Sequence, residues 1–326
     1  METKISLIMT VFNEAANIEK VLQSLCEQTR RPDEVVIVDG GSRDNTFALI
    51  EQFVQQHLHD LPIQLLSRPG CNISQGRNAA IKAASFEIIA ATDAGTLLPV
   101  NWLADLTNPF FEQDVQVVSG FFRADPAPNA PFQIAMGATV LPVEAEIQPE
   151  KFLPSSRSVA FTKSAWAKVG GYPEWLDYGE DLIFDLNLKR QGYHFYWQPK
   201  ACVCFAPRQS FSSFFKQYYR YARGDGKANL FLKRHLLRYF TYLVFLPLML
   251  KLIRTYPWLS LPFWCIGLGY LKTPYWRLFC HFPEFQALAL PRKALALTYV
   301  PLIRLTGDLA KMCGYPPGLW WRISHT

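Results

Sequence analysis

The sequence predicts an α/β chain: a doubly wound, mostly parallel sheet followed by a basic, apolar helical appendage. Three observations predict it. Short apolar runs alternate with amphipathic helical repeats through the first half, which is the pattern of a parallel sheet wrapped by helices. Acidic residues and glycines cluster at the carboxyl ends of those runs, where such sheets bind ligands. The charge then divides: residues 1–205 hold 16 basic and 24 acidic side chains, a net of −8, whereas residues 206–326 hold 17 and 3, a net of +14.

Lys4-Ile-Ser-Leu-Ile-Met9 reads as a short buried strand and Thr10-Val-Phe-Asn-Glu14 as the loop after it. Ile18, Val21, Leu22 and Leu25 then recur at helical spacing. A second strand, Glu34 to Asp39, runs into Gly40-Gly-Ser-Arg-Asp-Asn-Thr46 and a helix with Phe47, Ile50 and Val54 on one face. Asn13, Glu14 and Asp39 therefore lie at strand ends. Asp39 could equally cap a turn, and Ser42 or Asp44 the second helix.

Ser74-Gln-Gly-Arg-Asn78 opens a small-residue helix, Ala79 to Ala84. Gly76 permits close backbone approach, and Arg77 is a planar fork suited to phosphate or carboxylate, or else a solvated surface arginine. Glu87-Ile-Ile-Ala-Ala-Thr92 is a strand that delivers Asp93 at its end, a position suited to a hard divalent cation carrying a diphosphate. Further on, Trp175-Leu-Asp-Tyr-Gly-Glu-Asp181 sets two adjacent carboxylates just before an apolar helix, Leu182 to Leu188. Burial and mutual charge can raise one of them into the range of a general base; a helix N-terminus alone also favours acids.

In this order, Thr10-Val-Phe-Asn-Glu, Val38-Asp-Gly-Gly-Ser-Arg-Asp-Asn-Thr, Gly76-Arg-Asn, Thr92-Asp-Ala-Gly, Gly170-Gly-Tyr-Pro and Gly179-Glu-Asp, the chain resembles family 2 glycosyltransferases of Rossmann-like GT-A fold. The resemblance spans roughly residues 4 to 225. It implies inverting transfer from a nucleotide-diphosphate sugar, with Mg or Mn as cofactor. It implies that Thr10, Asn13, Glu14, Asp39, Ser42 and Arg77 hold the nucleotide sugar, that Asp93 holds the metal, and that Asp181 is the base with Glu180 beside it. Gln217-Tyr-Tyr-Arg220-Tyr221 is similar to the family's later Gln-x-x-Arg-Trp element, adding Gln217 and Arg220 to the donor site. Trp175 and Tyr178 flank the acidic pair, and a flat aromatic face suits an acceptor sugar; ordinary loop packing is the alternative.

Two departures stand out. The family's metal site is usually Asp-x-Asp, and here the third position is Gly95. Many members also have a histidine after the strand that follows the Glu-Asp helix, where this chain reads Cys202-Val-Cys-Phe-Ala-Pro207. A cation would then rely on Asp93, diphosphate oxygens and water.

The boundary expected from these patterns divides a catalytic domain, 1–225, from a helical membrane-associating region, 226–326. The excess of positive charge beyond residue 206 calls for an anionic partner. Uncharged stretches at Tyr239–Leu250 and Thr255–Leu271, with Trp258, Trp264, Trp276, Trp320 and Trp321, favour an anionic membrane surface over nucleic acid. Met1-Glu-Thr-Lys leads directly into a core strand, so no signal peptide is expected, and seven scattered cysteines read as reduced thiols. The sequence thus predicts a glycosyltransferase at the cytoplasmic face of a membrane, possessing up to two short spans and acting on a lipid-linked or polysaccharide acceptor. A silent sugar-nucleotide-binding scaffold and a sugar nucleotidyltransferase are the alternatives; Thr10-Val-Phe-Asn-Glu lacks the Gly-rich basic loop that the latter needs.

Overall fold

The computed structural model describes residues 4–57 and 61–325. In chain order the elements begin β1 (Ile5–Val11), α1 (Ile18–Cys26), β2 (Glu34–Asp39), α2 (Thr46–Gln56), β3 (Ile63–Ser67), α3 (Ile73–Ala83), β4 (Ile88–Asp93) and β5 (Thr96–Leu97). They continue through α4 (Trp102–Thr107), α5 (Pro109–Glu112), β6 (Val117–Ala124), α6 (Pro131–Val140), β7 (Val159–Thr162), α7 (Lys163–Lys168), α8 (Glu180–Arg190) and β8 (Phe195–Phe205). Helices α9 (Phe211–Lys227), α10 (Leu232–Phe240), α11 (Leu246–Thr255), α12 (Ser260–His281), α13 (Pro283–Gln286) and α14 (Leu290–His325) complete the chain.

The chain forms two compact units. The first comprises residues 1–123 and 144–206; the second comprises 124–143 and 207–326. The boundary expected at 225 therefore differs from the structural one, because α6 and α9 pack with the C-terminal helices. Alternation of apolar runs marks where a sheet ends but not which helix joins which core.

The first unit is built on one sheet of order β3-β2-β1-β4-β7-β6-β8-β5. Strands β3, β2, β1 and β4 run parallel, and β7 joins β4 antiparallel. Helices cover both faces, so β1 and β2 read as continuous apolar runs rather than alternating ones. Alternate residues still go to opposite sides. Ile5, Leu7 and Met9 pack with Ile18, Leu22 and Trp102, whereas Ile8, Val36 and Val38 pack with Ile81 and Phe184. Strand β1 extends two residues beyond the expected Met9, taking in Thr10 and Val11, because both remain paired in the sheet. In that register Val11 lies beside Asp39 and Thr10 beside Asp93. The chain leaves β1 towards β2 on one side and reaches β4 on the other, so the two acids flank the point where strand order reverses.

The second unit buries Phe132, Ile134, Phe214, Leu278, Phe282 and Ile303 among its helices. Helices α9 and α14 meet through glycines: a Cβ on Gly314 would sit 2.1 Å from the Tyr219 carbonyl oxygen, and one on Gly318 2.1 Å from that of Arg223. Asp308 on α14 accepts from Arg238 Nε at 2.7 Å, Tyr242 at 3.0 Å and Tyr270 at 2.7 Å, which satisfies a carboxylate among apolar helices.

Among the described residues one helix is long and apolar enough to cross a membrane, Leu232–Thr255, of mean hydropathy 1.6 and with none of its apolar window buried within the chain. It joins α10 to α11 through a π-helical turn at Thr241–Phe245. Pro247 cannot donate to the preceding turn, and the wider bonding just before it absorbs that loss. The uncharged run Thr255–Leu271 does not form a single helix: Pro257–Leu259 is a 3₁₀ turn and α12 starts at Ser260. Leu261, Trp264 and Leu268 on α12 are exposed.

Candidate active site

The site begins with α3. Asn72 caps this helix: its side chain accepts from the Gln75 N–H, while the Gln75 side chain accepts from the Asn72 N–H. The helix therefore starts at Ile73, ahead of the expected Ala79, and Arg77 lies in its second turn. Gly76 lets α3 press on β1, since a Cβ there would come within 2.8 Å of Thr10 Cγ2. This close approach aims Arg77 inward, where it is only 3% exposed.

Arg77 gathers the acids. Its Nη1 donates to Glu180 Oε1 at 2.6 Å and its Nη2 to Asp93 Oδ1 at 3.0 Å, with the guanidinium 5.3 Å from the centre of the Tyr172 ring. Burial lowers the basicity of Arg77, but Asp93 and Glu180 outweigh it and leave the group more basic than an ordinary arginine.

Glu180 and Asp181 form the first turn of α8 rather than the loop before it. Gly179, at φ 80°, makes the left-handed turn into this helix. The neighbours part ways there. Glu180 is buried against Arg77; burial, then the Asp181 charge, raise its pKa to about 7 despite Arg77. Asp181 is half-buried, and its Oδ1 accepts from the Leu182 N–H at 2.8 Å. Asp185, one turn on, is fully buried with Oδ2 lacking a partner, and burial followed by the Asp181 charge holds it well above the usual carboxylate range.

Asp93 stands between two guanidiniums. Arg157 Nε approaches its Oδ2 at 3.4 Å, donates from Nη1 to Ser155 Oγ at 3.2 Å, and stacks on Phe205 at 4.7 Å. Burial pushes the Asp93 pKa up, yet Arg77 and Arg157 together hold it below the ordinary value.

Asp39 is buried at the end of β2. Its Oδ1 accepts from the Gly41 and Ser42 N–H groups at 2.7 and 2.8 Å, while Oδ2 is buried without a partner. Asn13 and Ser42 clamp the loops after β1 and β2 together: Ser42 Oγ accepts from the Asn13 N–H, and Asn13 Oδ1 from the Arg43 N–H. Glu14 donates its N–H to Thr46 Oγ1 and accepts from Asn17 Nδ2. Ser42 does not cap α2; Asp44 instead accepts from the Thr46 N–H in its first turn.

The loop before α8 is tied to α3. Asn78 donates to the Tyr172 carbonyl and to Glu174, and its Oδ1 accepts from Trp166 Nε1 and the Tyr172 N–H. Trp175 is 47% exposed and lines an open hollow of about 550 Å³ with Asn78, Gly171 and Asn187. Tyr178 is half-buried. Gln217 and Arg220 lie on α9 in the second unit, where Gln217 donates to the Tyr221 hydroxyl.

The expected residues Arg77, Asp93 and Glu180 thus meet directly, with Asp181 next in sequence. Sequence reasoning passed over Arg157 and Asp185, and it quoted Asn78 only within the Gly76-Arg-Asn motif without a role. The signal for Arg157 was a lone cation among Ser155, Ser156 and Ser158, immediately before the apolar β7.

The profile of Glycosyl transferase family group 2 matches residues 88–300, and that of Glycosyl transferase family 2 matches residues 6–159. The chain belongs to glycosyltransferase family 2. This glycosyltransferase is 27% identical over 232 residues to glycosyltransferase AglE of Haloferax volcanii, covering 68% of this chain and 72% of that one. It is 23% identical over 228 residues to the O-antigen chain rhamnosyltransferase RfbN of Salmonella typhimurium, covering 65% and 70%. Among solved structures, mannosyltransferase PcManGT from Pyrobaculum calidifontis, in complex with GDP-Man and Mn²⁺, superposes with a TM-score of 0.60. That alignment covers 99% of this enzyme and 88% of PcManGT at 21% identity, and it shows the shared GT-A fold.

The donor set of this enzyme does not fit the Mg or Mn expected from its sequence. Among the described residues no three His, Cys, Asp or Glu side chains come together to hold a metal ion. Asp93 alone offers a carboxylate at the end of β4, and both of its oxygens already face guanidiniums. A second acid would have room at Gly95, where a Cβ would meet nothing within 4 Å, but the chain supplies none.

Proposed function

We propose that this glycosyltransferase moves a sugar from a nucleotide-diphosphate sugar to a hydroxyl of a lipid-linked or polysaccharide acceptor, in one inverting displacement. The observation behind this reading is the division of labour around Arg77. Glu180 is committed to the buried guanidinium, which leaves the half-buried Asp181 to act as base. The acceptor oxygen forms a bond to the anomeric carbon and gives its proton to Asp181. The bond from that carbon to the diphosphate oxygen breaks, and its electron pair leaves with the diphosphate. Arg77 offsets the leaving charge, electrostatic stabilisation aimed at the transition state. The bare, buried Asp39 Oδ2 supports nucleoside recognition, since an unpaired buried acceptor is costly and a base N–H or ribose hydroxyl would satisfy it. Trp175 and Tyr178 would face the acceptor, and Thr10, Asn13, Glu14 and Ser42 would shape the nucleotide loop.

The apolar helix Leu232–Thr255 and the basic surplus of the second unit support placement at the cytoplasmic face of a membrane. Basic side chains near an anionic leaflet contribute about 1 kcal/mol each.

The test is a screen of nucleotide sugars against the full-length enzyme in detergent, read by thermal shift and by release of nucleoside diphosphate on adding acceptor lipids. A selective shift and acceptor-dependent release are expected, with NMR of the product showing the inverted anomer. A retained anomer would overturn the single displacement. Sedimentation with anionic vesicles tests the membrane: full-length protein remaining in the supernatant at low salt would overturn that placement.

A further inference from the structure

Two cations converge on Asp93, and the proposed reaction uses only one of them. Arg77 is buried and already shared between Glu180 and Asp93. Arg157 is different: its side chain is 27% exposed, its guanidinium plane is fixed on Phe205, and Ser155 and Asp93 hold two of its nitrogens. A guanidinium is a rigid planar fork, and these contacts, which are among those it makes, fix its plane and position. It stands beside the end of β4, the side of the strand-order reversal where a donor's diphosphate belongs.

We propose that Arg157 is a diphosphate-binding residue, supplying the fixed positive charge that a divalent cation would otherwise bring, so that this enzyme binds its donor without metal. The inference rests on the donor-site reading above. Three observations agree with it. The second acid of a metal pair is replaced by Gly95, with open space around it. Asp93 is held by guanidiniums on both oxygens, so a cation arriving there would meet two like charges. Arg157 is pre-organised by stacking, which cuts the entropy lost when a flexible cation is fixed on a phosphate. The bond changes are those of the proposed transfer; Arg157 shares the leaving group's charge with Arg77 and exchanges no proton.

The experiment is isothermal titration calorimetry of the full-length enzyme with GDP and with UDP, first in EDTA and then in Mn. At least one diphosphate is expected to bind in EDTA with a Kd within threefold of its value in Mn. Arg157→Ala should weaken that diphosphate at least 30-fold and the matching monophosphate less than threefold, with Arg157→Lys in between. Thermal midpoints without nucleotide identify a variant that fails to fold, and the EDTA arm on the parent enzyme decides the question without any variant. Binding at least tenfold tighter in Mn than in EDTA would overturn the inference and leave the donor site standing. A folded Arg157→Ala that keeps its diphosphate affinity within threefold would do the same. No binding of either diphosphate under either condition would sink the donor-site reading and this inference with it.

Discussion

Removing Arg77 tests whether one guanidinium organises the site. Arg77→Met keeps the length and apolar bulk of the side chain and deletes the charge. It strands Glu180, bonded to Arg77 at 2.6 Å and buried, and leaves Asp93 with Arg157 alone. Breaking a buried pair by removing one partner costs about 3–5 kcal/mol. Asp93 is a quarter exposed and keeps a second cation, so the lower end applies, about 3 kcal/mol. For a unit of this size that lowers Tm by about 6–12 °C. Urea unfolding at pH 8, above the raised pKa of about 7 that Glu180 has beside Arg77, gives the free energy. The double variant Arg77→Met/Glu180→Gln removes the stranded charge as well and should recover about 1–2 kcal/mol of the loss. A single variant costing less than about 1 kcal/mol, or strictly additive effects in the cycle, would refute the idea that the Arg77–Glu180 contact is a buried pair holding α3 to α8.

Asp181→Asn should retain nucleotide binding by calorimetry yet lose transfer about 10² to 10⁴-fold, and Glu180→Gln should lose less; the reverse ranking would exchange their roles. Glu180 also sets a pH dependence. With its pKa raised from 4.5 to about 7, the folded protein keeps a proton that the unfolded chain releases. Its stabilising contribution is full below pH 4.5 and is lost as pH rises through 7, a change on the order of 3 kcal/mol. The stability difference between parent and Glu180→Gln, from urea unfolding across that window, should fall accordingly, and a flat difference would contradict the shift. Gly314→Ala should destabilise the helical unit by about 1–3 kcal/mol in thermal unfolding, because the new methyl group meets the Tyr219 carbonyl oxygen; an unchanged midpoint would mean that α9 and α14 separate freely.

The sequence by itself determined the sheet, the strand ends and the acids on them. Apolar runs such as Val35-Val-Ile-Val38 are legible because both faces of a central parallel strand must be buried, and a carboxylate that ends such a run can only sit at its edge. Asp39 and Asp93 are legible in that way, whereas Arg77 and the Glu180–Asp181 pair belong to helices and are singled out by the Gly-Arg-Asn and Gly-Glu-Asp patterns. Element boundaries were less legible. The starts of α3 and α8 depend on caps and a left-handed glycine, Asn72 and Gly179, whose effect emerges only when the backbone is built.

Only the tertiary structure separated the two neighbouring acids, because which one is buried depends on Arg77, 103 positions away in the chain. It also brought Arg157 to Asp93 by pairing β7 with β4, a long-range antiparallel contact that no local periodicity encodes. Local sequence specifies what a strand end can offer. Which cation answers it is decided by the order in which strands enter the sheet.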